Sequence, residues 1–191
     1  MVADWLDATL RSLLQPEPGV TPAPGGGAVA AVSIALAAEL IAMTARASTE
    51  RWPDGGAAAA KAVTLRDRAT KAARDEGVAF PAAIEALRAS RTATGDRGGL
   101  GRALDDAAAL TVEIAHVGAD VADLASFAVV AGHPDLRADA VVAVVLAEAG
   151  AQAAAHLVAI NLAVSVGDPR LDAAQGAAAS AAAARKRALS L

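Results

Sequence analysis

The sequence predicts an all-α protein, a bundle of long alanine-rich helices in a single domain spanning residues 1–191. Three observations carry the prediction. Hydrophobic residues make up 55% of the chain while aromatics supply only 2%, so alanine, the best helix former, accounts for much of the apolar content. The long apolar runs are separated by short proline and glycine clusters at 15–24, 51–56, 92–99, 132–134 and 167–169. Within the runs, apolar residues recur at spacings of three and four, the period of a helix and not of a strand. Small side chains leave little to interdigitate, so the helices must approach closely, and a second subunit is expected to help bury enough surface.

The first segment, about Ala3 to Leu14, carries Trp5, Leu6, Thr9, Leu10, Leu13 and Leu14 at helical spacing and reads as a short amphipathic helix. The loop Gln15 to Pro24 leads into Gly25-Gly26-Gly27, where an almost wholly apolar helix opens and runs to about Ser48. Arg51-Trp52-Pro53-Asp54-Gly55-Gly56 is a turn, followed by a helix from about Ala57 to Ala89 in which Pro81 is expected to impose a kink or break. The stretch from Thr92 to Gly99 is the most loop-like and is expected to be a mobile connection over a site. A helix from about Arg102 to Val130 ends at Gly132-His133-Pro134, and another from about Leu136 to Val166 ends at Gly167-Asp168-Pro169. The last, about Leu171 to Leu189, closes on Arg185-Lys186-Arg187, cations that complement a helix C-terminus.

Composition narrows the function classes. A net charge of −4 and the scarcity of aromatics give neither a phosphate-backbone footprint nor a base-stacking platform, so no nucleic-acid partner is expected. Two apolar runs reach the length of a membrane span, but Glu39 and Arg46 in the first, and Glu148, Gln152 and His156 in the second, point to buried helices of a soluble protein; no membrane partner is expected. The absence of cysteine removes disulfides and thiolate zinc sites. Met1 to Trp5 lacks a basic segment followed by an apolar core, so the expected location is the cytoplasm.

The most unusual stretch is Pro22-Ala23-Pro24-Gly25-Gly26-Gly27-Ala28. The prolines fix the direction in which the chain arrives, and the glycines remove every Cβ beside the unpaired N–H groups of a helix N-terminus. Such a corner suits a carboxylate, a phosphate or a polarised carbonyl; it equally suits close helix packing. Two polar stripes follow. Glu113, His116, Asp120 and Asp123 share one helix face, but no second Glu-x-x-His supplies the other half of a metal site, so no metal is expected and a solvated acidic face is the simpler reading. Glu148, Gln152 and His156 fall at successive i+4 positions and would line a subunit contact, a polar cleft or a hydrogen-bonded interior. No nucleophile elbow, Walker loop or dinucleotide fingerprint occurs.

The turn Pro-x-Pro-Gly-Gly-Gly before a small-residue helix, then Glu76-Gly77-Val78-Ala79-Phe80, then Gly132-His133-Pro134-Asp135-Leu136-Arg137-Ala138-Asp139, and finally Ile160-Asn161-Leu162, together resemble the formiminotransferase-cyclodeaminase C-terminal family. That family includes formiminotetrahydrofolate cyclodeaminases and methenyltetrahydrofolate cyclohydrolases. The resemblance implies an up-and-down, mostly antiparallel helical bundle that forms homodimers and binds a tetrahydrofolate derivative near the glycine turn. It implies a hydrolase or ammonia-lyase type of enzyme needing no cofactor beyond that substrate. The implied catalytic residues are Asp139, Glu76 and His133, and the implied substrate-binding residues are Pro24, Gly25, Gly26, Gly27, Arg46 and Asn161.

Several family positions differ. Ala23 and Ala28 stand where hydroxyl residues are usual, Thr49-Glu50 where a basic pair is common, and Leu157 and Ala159 where the family carries asparagine and arginine. Glu76 replaces an aspartate, and Asp139 is the main survivor of an Asn-Ala-Ile-Ser-Asp stretch. Cyclohydrolysis needs a base for the attacking water and an acid for the departing nitrogen, roles suited to Glu76 and Asp139, with His133 as a proton carrier because histidine is the side chain that titrates nearest neutral pH. These roles require Glu76, Asp139 and the glycine turn to share a cavity. Two other classes stand beside this one: an enzyme diverged to another amidine or imine-like substrate, and a non-catalytic homodimeric binding protein.

Overall fold

The glycine turn starts the first long helix close to where the sequence places it. In the computed structural model, which describes residues 5–7, 9, 10, 14, 25–90, 97–161 and 167–190, α1 spans Gly26–Ala47, α2 Gly55–Ser90, α3 Arg97–Ala131, α4 Arg137–Asn161 and α5 Pro169–Leu189. Short 3-10 turns occur at Trp5–Asp7 and Pro134–Leu136, and no strand is present among the described residues. The amphipathic helix expected over 3–14 lies mostly outside the described residues. The part that is described includes Leu10 and Leu14, both exposed.

The helices alternate in direction. α1 packs against α2 and α4, α3 packs against α2, α4 and α5, and α4 packs against α5. The core between them is alanine with a few larger chains, Ile34, Ile41, Ile114, Val117, Val121, Val144 and Val158, each almost fully buried. Glycines let the backbones close in: a Cβ at Gly118 of α3 would lie 2.9 Å from the Ala151 Cβ, and one at Gly150 of α4 would lie 2.6 Å from Ile34 Cγ1. At the far end of α1, Ser48 Oγ accepts the His133 backbone N–H at 2.8 Å, fixing the α3–α4 corner against the α1 C-terminus.

Two boundaries correct the sequence reading. α2 continues through Pro81 to Ser90 without a break, since one missing N–H costs a single hydrogen bond while the flanking residues keep their own. α3 begins at Arg97, inside the stretch expected to be a loop; of that stretch, 92–96 lie outside the described residues. The expected end of the 136–166 helix is described only to Asn161.

Both polar stripes are tied to neighbouring helices. Glu113 and Asp120 are held by Arg68 of α2 at 2.8 and 3.3 Å, and Asp123 by Arg187 of α5 at 2.6 Å. Glu148 lies 3.7 Å from Arg185, and Gln152 donates to the Ala178 carbonyl at 3.4 Å, so the second stripe faces α5. The N-terminus of α5 is capped by Asp168, whose carboxylate accepts the Arg170 backbone N–H at 2.9 Å and pairs with its guanidinium, which also reaches Asp105 on α3.

Three helices, Gly26–Ala47, Gly99–Ala131 and Pro134–Ile160, are long and apolar enough to cross a membrane by length and composition. Their most apolar windows are 56%, 61% and 44% buried within the chain.

Candidate active site

The first three N–H groups of α1 have no carbonyl four residues back within the helix, and Gly25, the N-cap residue, has no side chain to satisfy them. The partner comes from another helix. Glu76, on α2, accepts the Ala28 N–H through Oε2 at 3.0 Å and is only 6% exposed. The glycines make this approach possible: a Cβ at Gly27 would stand 2.5 Å from Glu76 Oε1, and one at Gly25 would lie 3.5 Å from both carboxylate oxygens. The carboxylate therefore occupies volume that any side chain at Gly27 would fill.

Burial pushes the Glu76 carboxyl above the ordinary carboxylate range, and the Ala28 N–H opposes that shift in part. Such a group holds a proton closer to neutral pH than a surface glutamate and is suited to both donate and accept one. Two apolar side chains lie beside the turn. Phe80, one turn further along α2, places Cδ1 3.6 Å from the Cβ position of Gly25, and Leu157 of α4 places Cδ1 3.8 Å from that of Gly26. Phe80 and Leu157 were not singled out as site residues from sequence. For Phe80 the signal was its i+4 spacing from Glu76; for Leu157 it was alignment with a polar family position.

The structure brings together Glu76, Gly25, Gly26 and Gly27. It does not bring His133, Asp139 or Arg46 to them within one chain. Arg46 is in the last turn of α1, 19 residues beyond Gly27, which at about 1.5 Å per residue puts it roughly 28 Å away along the helix axis. His133 is fixed at that same far end by Ser48, and its Nδ1 accepts the Asp135 N–H at 3.3 Å. Asp139 lies in the first turn of α4, at the end remote from Leu157. The expectation of one cavity holding Glu76, Asp139 and the turn is corrected accordingly: α1 separates its two ends by its own length. Arg46 instead pairs with Glu39 at 3.3 Å. Pro24 and the Asn161 side chain lie outside the described residues. Among the described residues, no three His, Asp or Glu side chains group closely enough to hold a metal ion.

The profile of the family described as formiminotransferase-cyclodeaminase matches residues 9–181. A search of curated proteins finds no significant match. Among solved structures, the chain is similar to formiminotetrahydrofolate cyclodeaminase from Thermotoga maritima, with 22% identity and a TM-score of 0.82, over 96% of this chain and 94% of that one. At that identity the likeness establishes the fold, an all-helical one.

Proposed function

The chain belongs to the formiminotransferase-cyclodeaminase family, and from that premise we propose that it is a cytoplasmic, homodimeric enzyme acting on a one-carbon unit carried by tetrahydrofolate, as a methenyl cyclohydrolase or formimino cyclodeaminase. The observation that supports this reading is the buried Glu76 carboxyl held at the N-terminus of α1. In cyclohydrolysis, Glu76 takes a proton from water as its oxygen bonds to the electron-poor methenyl carbon. The resulting carbinol collapses to a formyl group when one carbon–nitrogen bond breaks and that nitrogen receives a proton. In cyclodeamination, the second folate nitrogen bonds to the formimino carbon and loses its proton, while the amino nitrogen is protonated and leaves as ammonia. One carboxyl whose hold on a proton is strengthened by burial serves either sequence, and its negative charge when ionised favours the cationic methenyl carbon. No metal or redox group enters these steps. The turn N–H groups would hold a carbonyl or carboxylate of the substrate.

The test is loss of methenyltetrahydrofolate absorbance above the spontaneous rate, with formiminotetrahydrofolate as a second substrate. Acceleration that Glu76→Gln abolishes supports the reading, and no acceleration with either substrate overturns it. Leu157 favours a second reading. An apolar side chain stands at the turn where the resemblance implies asparagine, so the site would suit a less polar amidine or imine-like substrate. Leu157→Asn raising folate turnover would support that divergence.

A further inference from the structure

The N-terminus of α1 already holds an anion, and the chain itself supplies it. Glu76 is 6% exposed, and its Oε2 accepts the Ala28 N–H at 3.0 Å. Its other oxygen, Oε1, has no hydrogen-bond partner among the described residues, and no Arg, Lys or His among them pairs with either oxygen. The carboxylate lies across the turn. A Cβ at Gly27 would stand 2.5 Å from Oε1, 2.9 Å from Cδ and 3.1 Å from Cγ, and one at Gly25 would lie 3.5 Å from both oxygens. Phe80 and Leu157, the other side chains beside the turn, carry no charge to offset it. Gly26 is exposed, so the corner is open to a ligand.

We propose that the Glu76 carboxylate closes the glycine turn to anions, so that the substrate group bound there is uncharged or cationic and the acidic end of the substrate lies elsewhere. A helix N-terminus attracts negative charge, but here that position is filled from within. A second carboxylate, or a phosphate, on the Gly26 and Gly27 N–H groups would sit a few ångströms from a buried charge that no cation neutralises. Repulsion at that range exceeds the net gain of one or two hydrogen bonds. A carbonyl oxygen meets no such repulsion. Of the two groups that the turn donors suit, a carbonyl or a carboxylate, the carbonyl is therefore the one admitted. The inference rests on the proposed function only in taking the turn as the place where substrate binds. For a tetrahydrofolate derivative it sets the direction of binding, with the glutamate end pointing away from Glu76.

The experiment follows the Gly26, Gly27 and Ala28 amide signals of the full chain by NMR at pH 8 while small probes are added. Acetate and p-aminobenzoylglutamate are the acidic probes, and acetamide is the uncharged isostere of acetate. In wild type, acetamide is expected to shift these signals more than either acidic probe. Glu76→Gln keeps the volume of the side chain and removes its charge. There the order is expected to reverse, with acetate binding at least about tenfold more tightly than to wild type. Wild-type signals that respond to acetate or p-aminobenzoylglutamate as strongly as to acetamide would overturn the proposal, and so would a Glu76→Gln chain that gains no acetate response. The readout is independent of turnover. Folate turnover by a wild type that takes acetate at the turn sinks this inference alone, whereas anion exclusion in a chain with no folate turnover upholds it and sinks only the folate reading.

Discussion

Glu76 Oε1 lies 2.5 Å from the point where a Cβ at Gly27 would stand, so the glycine and the carboxylate define one another's space. Gly27→Ala must push the carboxylate away and break its bond to the Ala28 N–H. Overpacking of this kind costs about 1–3 kcal/mol, and the expected result is a urea midpoint lowered to match, with folate turnover lost. Gly26→Ala is the control, because among the described residues its Cβ would meet only Leu157 Cδ1, at 3.8 Å. Stability within about 0.5 kcal/mol of wild type is expected there.

Glu76→Gln keeps an oxygen able to accept the Ala28 N–H but cannot exchange a proton. We expect a folded protein with turnover reduced at least ~100-fold, the usual scale for removing a general acid or base. The pH dependence has a definite sign. Folding raises the Glu76 carboxyl above its usual 4.5, so the folded state binds the proton more tightly than the unfolded chain. The stability Glu76 contributes is full below 4.5 and is lost as pH rises through the higher folded value. Wild type should therefore lose ground to Glu76→Gln as unfolding is repeated at rising pH. A constant difference between the two would contradict the burial argument.

Much of this was legible in the sequence because it is local. The glycine turn, the helix that follows it and the Glu76 to Phe80 segment are each read from neighbouring residues. That the turn and Glu76 meet depends on the α1/α2 register, which no run of neighbouring residues carries and the Ala28–Glu76 bond displays. The distance from the turn to Arg46 was also legible, since one unbroken helix fixes it. What sequence could not give was the choice of distant partner. Nothing near Glu113 or Asp120 says that Arg68, on another helix, takes both carboxylates. Pro81 does not break α2, because its local penalty, though real, is smaller than what the rest of a 36-residue helix gains.

Asp168 caps α5 and is held by Arg170, whose hydrogen bonds draw its carboxyl down to about 2 from the usual 3.8. A lowered value means that the contribution is present above 3.8 and is lost as pH falls through about 2. Asp168→Asn retains a cap oxygen but not the ion pair. Its melting temperature should fall below that of wild type at pH 6, and the gap should close on acidification towards pH 2 as the wild-type carboxylate protonates.

Gly150 sets the separation of α1 and α4, and with it the position of Leu157 beside Gly26. A Cβ there would lie 2.6 Å from Ile34 Cγ1, 2.9 Å from its Cδ1 and 3.1 Å from the Ala30 carbonyl oxygen. Helix propensity alone would make Gly150→Ala stabilising by about 1 kcal/mol. Contact with a fully buried isoleucine reverses the sign, and a net loss of about 1–3 kcal/mol is expected by urea unfolding. Ile34→Ala alone should cost about 2–5 kcal/mol through the cavity it leaves. Combined, the new methyl occupies part of that cavity, so the double variant should be more stable than the sum of the single losses by at least about 1 kcal/mol. Additive losses would mean that α1 and α4 simply move apart, and the Leu157 contact at the turn would then be disturbed along with the packing.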